Sequence, residues 1–178
     1  MKFVWAGERE KQNNRLSFEL KLEKDVDTLV LYGADFYRVY LDGKFVSYGP
    51  ERTAAGYARK RVLDIKGAKY LCIDLSSYGI PTYSNDYQLP YLGAEILSGK
   101  DVVYTALDFE ARRYECVQDS KLRYSVQRGF MEQYDFTKTD FSVLPIYEVD
   151  APALIDGIGD KADYSEVGFE FLGEREFA

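Results

Sequence analysis

Tyrosines mixed with amide and carboxylate residues fill residues 78–91, the stretch of the sequence best equipped to bind a ligand. Flat aromatic faces stack on the C–H groups of a sugar ring, and amide or carboxylate oxygens accept hydrogens from its hydroxyls. The candidate carbohydrate-binding residues here are Tyr78, Tyr83, Asn85, Asp86, Tyr87 and Tyr91. Gly, Pro and Ser also accumulate in this stretch. It could equally be a long loop folded over the edge of the domain or docked on a neighbouring one.

Three further charged residues could do chemistry. Arg52 follows a Gly-Pro pair, and its guanidinium could reach a ligand hydroxyl or carboxylate, or form a surface ion pair. Glu132 and Asp135 could act as the general acid and base of a hydrolase. On a strand, however, a spacing of three places two side chains on opposite faces. That spacing favours a salt bridge or an interdomain contact over catalysis.

Histidine is absent from the 178 residues, which removes Ser-His-Asp and Cys-His catalysis and the usual zinc sites. Cys72 and Cys116 lie in apolar, strand-like runs and are predicted to be buried free thiols. A single disulfide between them is the alternative. No cofactor is predicted, with one exception. Calcium could be bound by oxygens of Asp35, Asp42 or Asp86.

The net charge of −7 disfavours nucleic acid and anionic membranes as partners, because both would be repelled. A neutral sugar is indifferent to this charge. Few apolar residues precede the first acidic residue, too few for a secretory signal, and no stretch approaches the roughly 20 apolar residues of a transmembrane helix. If Met1 is the natural start, a cytoplasmic location is predicted.

The hydrophobic pattern has a period of two, which is typical of strands. Residues 16–22 alternate and predict a strand with one solvated face, whereas the apolar run 28–34 predicts a strand buried on both faces. Asp42 and Gly43 separate two alternating segments and predict a hairpin with a type I′ turn. A second hairpin is predicted around residues 98–100.

About nine short strands are predicted, with turns roughly every ten residues, including strands at 114–117 and 133–136. This spacing is typical of an all-β sandwich, and the 16% aromatic content suits it. Residues 1–144 are predicted to form one β-sandwich domain. Prolines, glycines and acids accumulate beyond that point, so residues 145–178 are predicted to be a linker or the start of a following domain.

Residues 37–52, YRVYLDGKFVSYGPER, resemble the signature Y-x-V-Y-(L/V)-N-G-x-x-V-x-x-G-P-x-R of the N-terminal β-sandwich of bacterial α-L-rhamnosidases. Residues 3–6 and 127–135 are similar to the opening and closing segments of that module, in the same order. The resemblance implies an antiparallel jelly-roll sandwich of the galactose-binding-like type. It also implies a parent glycoside hydrolase that removes terminal α-L-rhamnose, with its catalytic carboxylates on a helical barrel downstream of this chain.

Three hypotheses follow from these observations. The chain could be a non-catalytic accessory domain that supports the downstream catalytic domain of the same parent chain and contacts carbohydrate. It could be an autonomous carbohydrate-binding module for a rhamnose-containing glycan. It could also be a structural or interaction sandwich with no sugar role. A small hydrolase that uses Glu132 and Asp135 is the weakest alternative.

Overall fold

Two antiparallel β-sheets pack face to face in the computed structural model, which describes residues 1–157. Within these residues there are fourteen strands, one 3-10 turn at Ala106–Asp108 and no α-helix. The strands are β1 Phe3–Ala6, β2 Asn14–Lys21, β3 Thr28–Ala34, β4 Phe36–Leu41, β5 Lys44–Gly49, β6 Tyr57–Arg59, β7 Arg61–Asp64, β8 Tyr70–Ser77, β9 Tyr91–Ser98, β10 Asp101–Thr105, β11 Glu110–Tyr114, β12 Phe141–Leu144, β13 Ile146–Val149 and β14 Ala153–Ile155. The predicted all-β sandwich is therefore confirmed.

The first sheet has the order β13-β1-β9-β3-β7, with β10 also paired to β9. The second sheet has the order β12-β11-β2-β8-β4-β5. A short parallel ribbon joins β14 to β6. The main core lies between the two large sheets and contains side chains from both of them.

The period-two pattern decides which side chains enter this core. In β2, Leu16, Phe18 and Leu20 point inward and are buried, and β8 pairs with β2 over the full length of both strands. Because neighbouring residues of a strand face opposite ways, the intervening polar residues of β2 and β8 lie on the outer face of the second sheet.

Strand β3 is buried on both faces in its second half, as its continuous apolar run predicts. Its inner face joins the main core. Its outer face joins a small second cluster formed by Phe3, Tyr32, Ala34, Ala58 and Tyr91. Ala58 belongs to β6, so the β6–β14 ribbon covers this part of the first sheet.

The predicted Asp42-Gly43 hairpin is present between β4 and β5. Asp42 has φ 49° and Gly43 has φ 78°, the two positive values that a type I′ turn requires. The Asp42 carboxylate also accepts hydrogen bonds from the backbone N–H groups of Lys69 at 3.0 Å and Tyr70 at 2.9 Å. The turn is thereby fixed against the start of β8.

The structure departs from the sequence expectations after β10. The strand predicted at 114–117 lies earlier in the chain, since β11 ends at Tyr114. Between residues 115 and 140 the backbone forms only two isolated β-bridges. Strands β12, β13 and β14 were not predicted, yet β13 pairs with β1 along its whole length. The strands of the sandwich thus continue past residue 144, while residues 158–178 of the predicted linker lie outside the described residues. Nowhere in residues 1–157 is there a helix long and apolar enough to cross a membrane.

Candidate functional site

Two long connections meet at one end of the sandwich. Residues 78–90 join β8 to β9, and residues 115–140 join β11 to β12. The backbone N–H of Tyr83 donates to the carbonyl oxygen of Gln127 at 2.6 Å, which links the two loops directly. Gly129 lies against the Tyr78 ring, and a Cβ there would come within 2.7 Å of ring atoms. A glycine is therefore needed for this close approach.

A groove with a volume of about 540 Å³ lies between these loops. Its aromatic lining comes from Tyr78, Tyr83, Tyr124 and Phe130, and its polar lining from Ser84, Gln127 and Arg128. Tyr83 and Tyr124 are highly exposed, at 77% and 73%. Among the described residues that line the groove, none carries a carboxylate. The groove can therefore stack and hydrogen-bond a sugar, but it lacks the acid and base of a glycosidase.

Two of the predicted loop residues, Tyr78 and Tyr83, line this groove, and Tyr91 does not. Tyr91 is the first residue of β9, and only 3% of its surface is exposed. Its ring packs edge-on against Phe3 with the ring centroids 5.6 Å apart, and burial raises the pKa of its phenol. Tyr91 is therefore part of the second apolar cluster.

The other predicted binding residues lie outside the groove lining. The backbone carbonyl oxygen of Asn85 accepts a hydrogen bond from the backbone N–H of Thr82 at 2.9 Å, within the loop. Asp86, Tyr87 and Arg52 are exposed. Arg52 lies between β5 and β6 and does not line the groove.

Asp35 is a buried carboxylate beside this loop, with 5% of its surface exposed. One carboxylate oxygen accepts the backbone N–H of Tyr78 at 2.8 Å, while the other is buried without a hydrogen-bond partner. Burial raises the pKa of Asp35 to about 6. Asp42 lies at the opposite end of β4, and no three His, Cys, Asp or Glu side chains within residues 1–157 gather as a metal site would need.

The raised pKa of Asp35 predicts a pH-dependent stability. The folded chain holds this proton more tightly than the unfolded chain, so stability is lost as pH rises from 3.8 toward about 6. Asp35→Asn lacks this carboxyl group and so does not lose stability in this way. The unfolding free energy of the variant minus that of the wild type should therefore rise by about 2 kcal/mol between about pH 4.5 and about pH 7.5. Urea unfolding at the two pH values measures this. The exposed control Asp86→Asn should show no such change, and an Asp35→Asn difference that is flat with pH would contradict the prediction.

Glu132 and Asp135 are not arranged as a catalytic pair. The Asp135 carboxylate accepts hydrogen bonds from the backbone and hydroxyl of Thr137 at 3.1 Å and 2.6 Å, which lower its pKa. Glu132 instead approaches Arg15 at 3.6 Å and Arg38 at 3.8 Å. The two carboxylates thus have separate partners, in keeping with the salt-bridge interpretation for Glu132.

A second cleft, with a volume of about 250 Å³, lies on the outer face of the second sheet. Its floor is formed by outward-facing residues of β2, β4, β8 and β11, and residues 116, 117 and 134 form one wall. Sequence reasoning did not find this cleft. The sequence shows only that polar residues alternate with apolar ones along these strands. The strand order is needed to show that the polar residues of different strands are neighbours.

The buried carboxylate of Glu19 organises one half of this outer-face cleft. It is 5% exposed and accepts hydrogen bonds from the hydroxyls of Tyr70 and Tyr114, the latter at 2.5 Å. Arg112 forms an ion pair with it at 2.6 Å. Cys72 and Cys116 also line the cleft; both are free, as predicted, but they are half-buried rather than buried. Partial burial raises the pKa of Cys72. A raised pKa disfavours the reactive thiolate form of Cys72.

Comparison with solved structures relates the sandwich to a known enzyme. The structural neighbour is a rhamnosidase. Over 87% of its length the chain matches the crystal structure of a GH78 family rhamnosidase of Bacillus sp. GL1, with a TM-score of 0.75 and 16% sequence identity. At this identity the likeness shows a shared fold. The chain spans 19% of the length of that rhamnosidase.

No protein-family model and no curated protein matches the sequence. The likeness to the rhamnosidase shows that the chain shares its β-sandwich fold with one part of that enzyme. A rhamnosidase-related domain, which the resemblance of residues 37–52 implies, stays a prediction. The N-terminal position of that domain, its galactose-binding-like type and its jelly-roll topology stay predictions.

Proposed function

We propose that this chain is a non-catalytic accessory β-sandwich of a larger α-L-rhamnosidase and supports the catalytic domain of the same parent chain. The likeness to 19% of a GH78 rhamnosidase carries this proposal. Two observations on the chain itself agree with it. The sequence contains no histidine, and the groove between the two loops offers no carboxylate pair for glycoside hydrolysis. In this proposal the chemistry belongs to the parent enzyme.

An antibody raised against the purified chain tests the proposal in the source cells. The expected antigen is several times larger than 20.5 kDa, and its immunoprecipitate hydrolyses a chromogenic α-L-rhamnoside. The purified chain itself should not hydrolyse this substrate. A cellular antigen of about the chain's own mass, or a large antigen without rhamnosidase activity, would contradict the accessory role and favour a structural or interaction sandwich.

An autonomous carbohydrate-binding module is the second candidate, and the groove favours it. Tyr83 and Tyr124 present large aromatic surfaces to solvent beside the polar groups of Gln127 and Arg128. Exposed aromatic rings next to hydrogen-bonding groups are the arrangement that sugar binding requires. Binding by the isolated chain would support this candidate.

If the groove binds sugar, Tyr83→Ala should weaken affinity for L-rhamnose or rhamnose-containing oligosaccharides by about tenfold, because a stacking face is lost. Isothermal titration calorimetry measures the change. Tyr87→Ala is the matched control: Tyr87 belongs to the same loop and is 50% exposed, but it does not line the groove. Equal losses in both variants would contradict the assignment to the groove, and no heat with any sugar would exclude an autonomous binding module.

A further inference from the structure

The second half of the outer-face cleft contains two arginines, and one of them has incomplete hydrogen bonding. Arg15 projects from β2 and lines the cleft, and only 10% of its side chain is exposed. Its Nε is buried without a hydrogen-bond partner. Arg38 projects from β4 into the same cleft and is 32% exposed. A buried guanidinium N–H without a partner is costly, so this site favours an acceptor.

Glu132 is the carboxylate nearest to both arginines, and it is loosely held. Its Oε1 lies 3.6 Å from Arg15 Nη1 and 3.8 Å from Arg38 Nη2, beyond the length of a hydrogen bond. Its side chain is 50% exposed. Its one close contact is the Tyr134 hydroxyl, which donates to it at 3.0 Å. One half-exposed side chain thus approaches two guanidiniums without forming the paired hydrogen bonds that arginine and carboxylate prefer.

The other acidic groups of the cleft already have partners. Glu19 is held by Arg112 at 2.6 Å. Asp74 lies opposite Arg38 in the register of β4 and β8, and its Oδ1 accepts the Ser17 hydroxyl at 2.5 Å. With Glu132 displaced, the three arginines of the cleft would face only the carboxylates of Glu19 and Asp74. One negative charge could then be held between Arg15 and Arg38, next to hydroxyl and carboxylate groups that can bind ligand hydroxyls.

We propose that this cleft binds the carboxylate of a single sugar acid, a hexuronate, between Arg15 and Arg38, and that the ligand displaces Glu132. The volume of about 250 Å³ suits one sugar ring. Arg38 and Arg15 would hold the carboxylate, while Asp74, Ser76 and Tyr134 are placed to bind ring hydroxyls. This site is distinct from the groove between the loops, and the proposal does not depend on the rhamnosidase assignment.

Titration of the full chain with D-galacturonate and D-glucuronate, followed by calorimetry or ligand-observed NMR, tests the site. Binding of at least one acid is expected, with much weaker binding of the matching neutral hexose. Arg38→Gln should weaken affinity by at least about tenfold, because a charged hydrogen bond is lost. Glu132→Gln should tighten affinity about two- to fivefold, because the competing carboxylate is gone. Lys100→Gln, at an exposed cation in the turn between β9 and β10 of the first sheet, should leave affinity unchanged.

Tightening in Glu132→Gln separates this proposal from a purely structural role for the ion pairs, which would predict no gain. The fluorescence of Trp5 checks that each variant is folded. Absence of uronate binding in both the wild type and Glu132→Gln at millimolar concentrations would overturn the proposal. Equal affinity for the neutral hexose, or tighter binding in Arg38→Gln, would overturn it as well.

Discussion

Phe18→Ala is expected to lower the free energy of unfolding by about 3–5 kcal/mol, the largest effect predicted for this chain. Phe18 is fully buried at the centre of β2, and its ring centroid lies 5.8 Å from that of Trp5 in the opposite sheet. Removing the ring takes apolar surface from the core and leaves a cavity between the sheets, which close packing cannot fill.

Trp5 provides the measurement for this prediction. It is the single tryptophan of the chain and is fully buried, so its fluorescence reports unfolding in urea. Tyr83→Ala removes another aromatic ring from an exposed position and should change stability by no more than about 0.5 kcal/mol. A Phe18→Ala loss as small as that of the control would show that the two sheets do not pack through this residue.

Arg112→Met is expected to destabilise the fold by about 2–3 kcal/mol, because it leaves the buried carboxylate of Glu19 without its cation. This loss of unfolding free energy is smaller than for an ion pair with both partners fully buried, because the Arg112 side chain is 26% exposed. Methionine keeps an unbranched apolar side chain of similar length but also removes the guanidinium carbon that lies 4.4 Å from the Phe141 ring centroid.

The double variant Arg112→Met/Glu19→Gln distinguishes charge from packing. If the loss arises from an uncompensated charge, the double variant should be more stable than Arg112→Met alone, because the glutamine amide is neutral. Urea unfolding of the single and double variants gives the coupling energy. Arg52→Met should be close to neutral. A double variant whose losses simply add would exclude the ion pair as the cause.

The local elements of this fold could be predicted from sequence because their causes are local. The Asp42-Gly43 turn needs two positive φ values, and those residue types supply them. The alternation in residues 16–22 identifies the inner face of β2 without any partner. The displaced β11 and the unpredicted β12 and β13 have short, weak patterns. Their positions are decided by pairing: β11 with β2, β12 with β11 and β13 with β1.

The candidate sites depend on contacts that are distant in sequence. Tyr83 and Tyr87 are alike in the sequence, but only Tyr83 meets residues 127–130 of the other loop. Ser17 and Asp74 are 57 residues apart and become neighbours through the register of β2 and β8. The residue pattern of a single strand does not determine which residues of a neighbouring strand lie opposite it. The outer-face cleft therefore could not be located before the strand order was known.

The pairing of β13 with β1 has a practical consequence for any shortened version of this protein. All four residues of β1 are buried and apolar, and β13 occupies one of its two edges from Phe3 to Ala6. A chain cut at residue 144 would leave that edge with unpaired N–H and C=O groups beside apolar side chains. Such an edge recruits strands from other molecules, so the shortened protein would self-associate and aggregate.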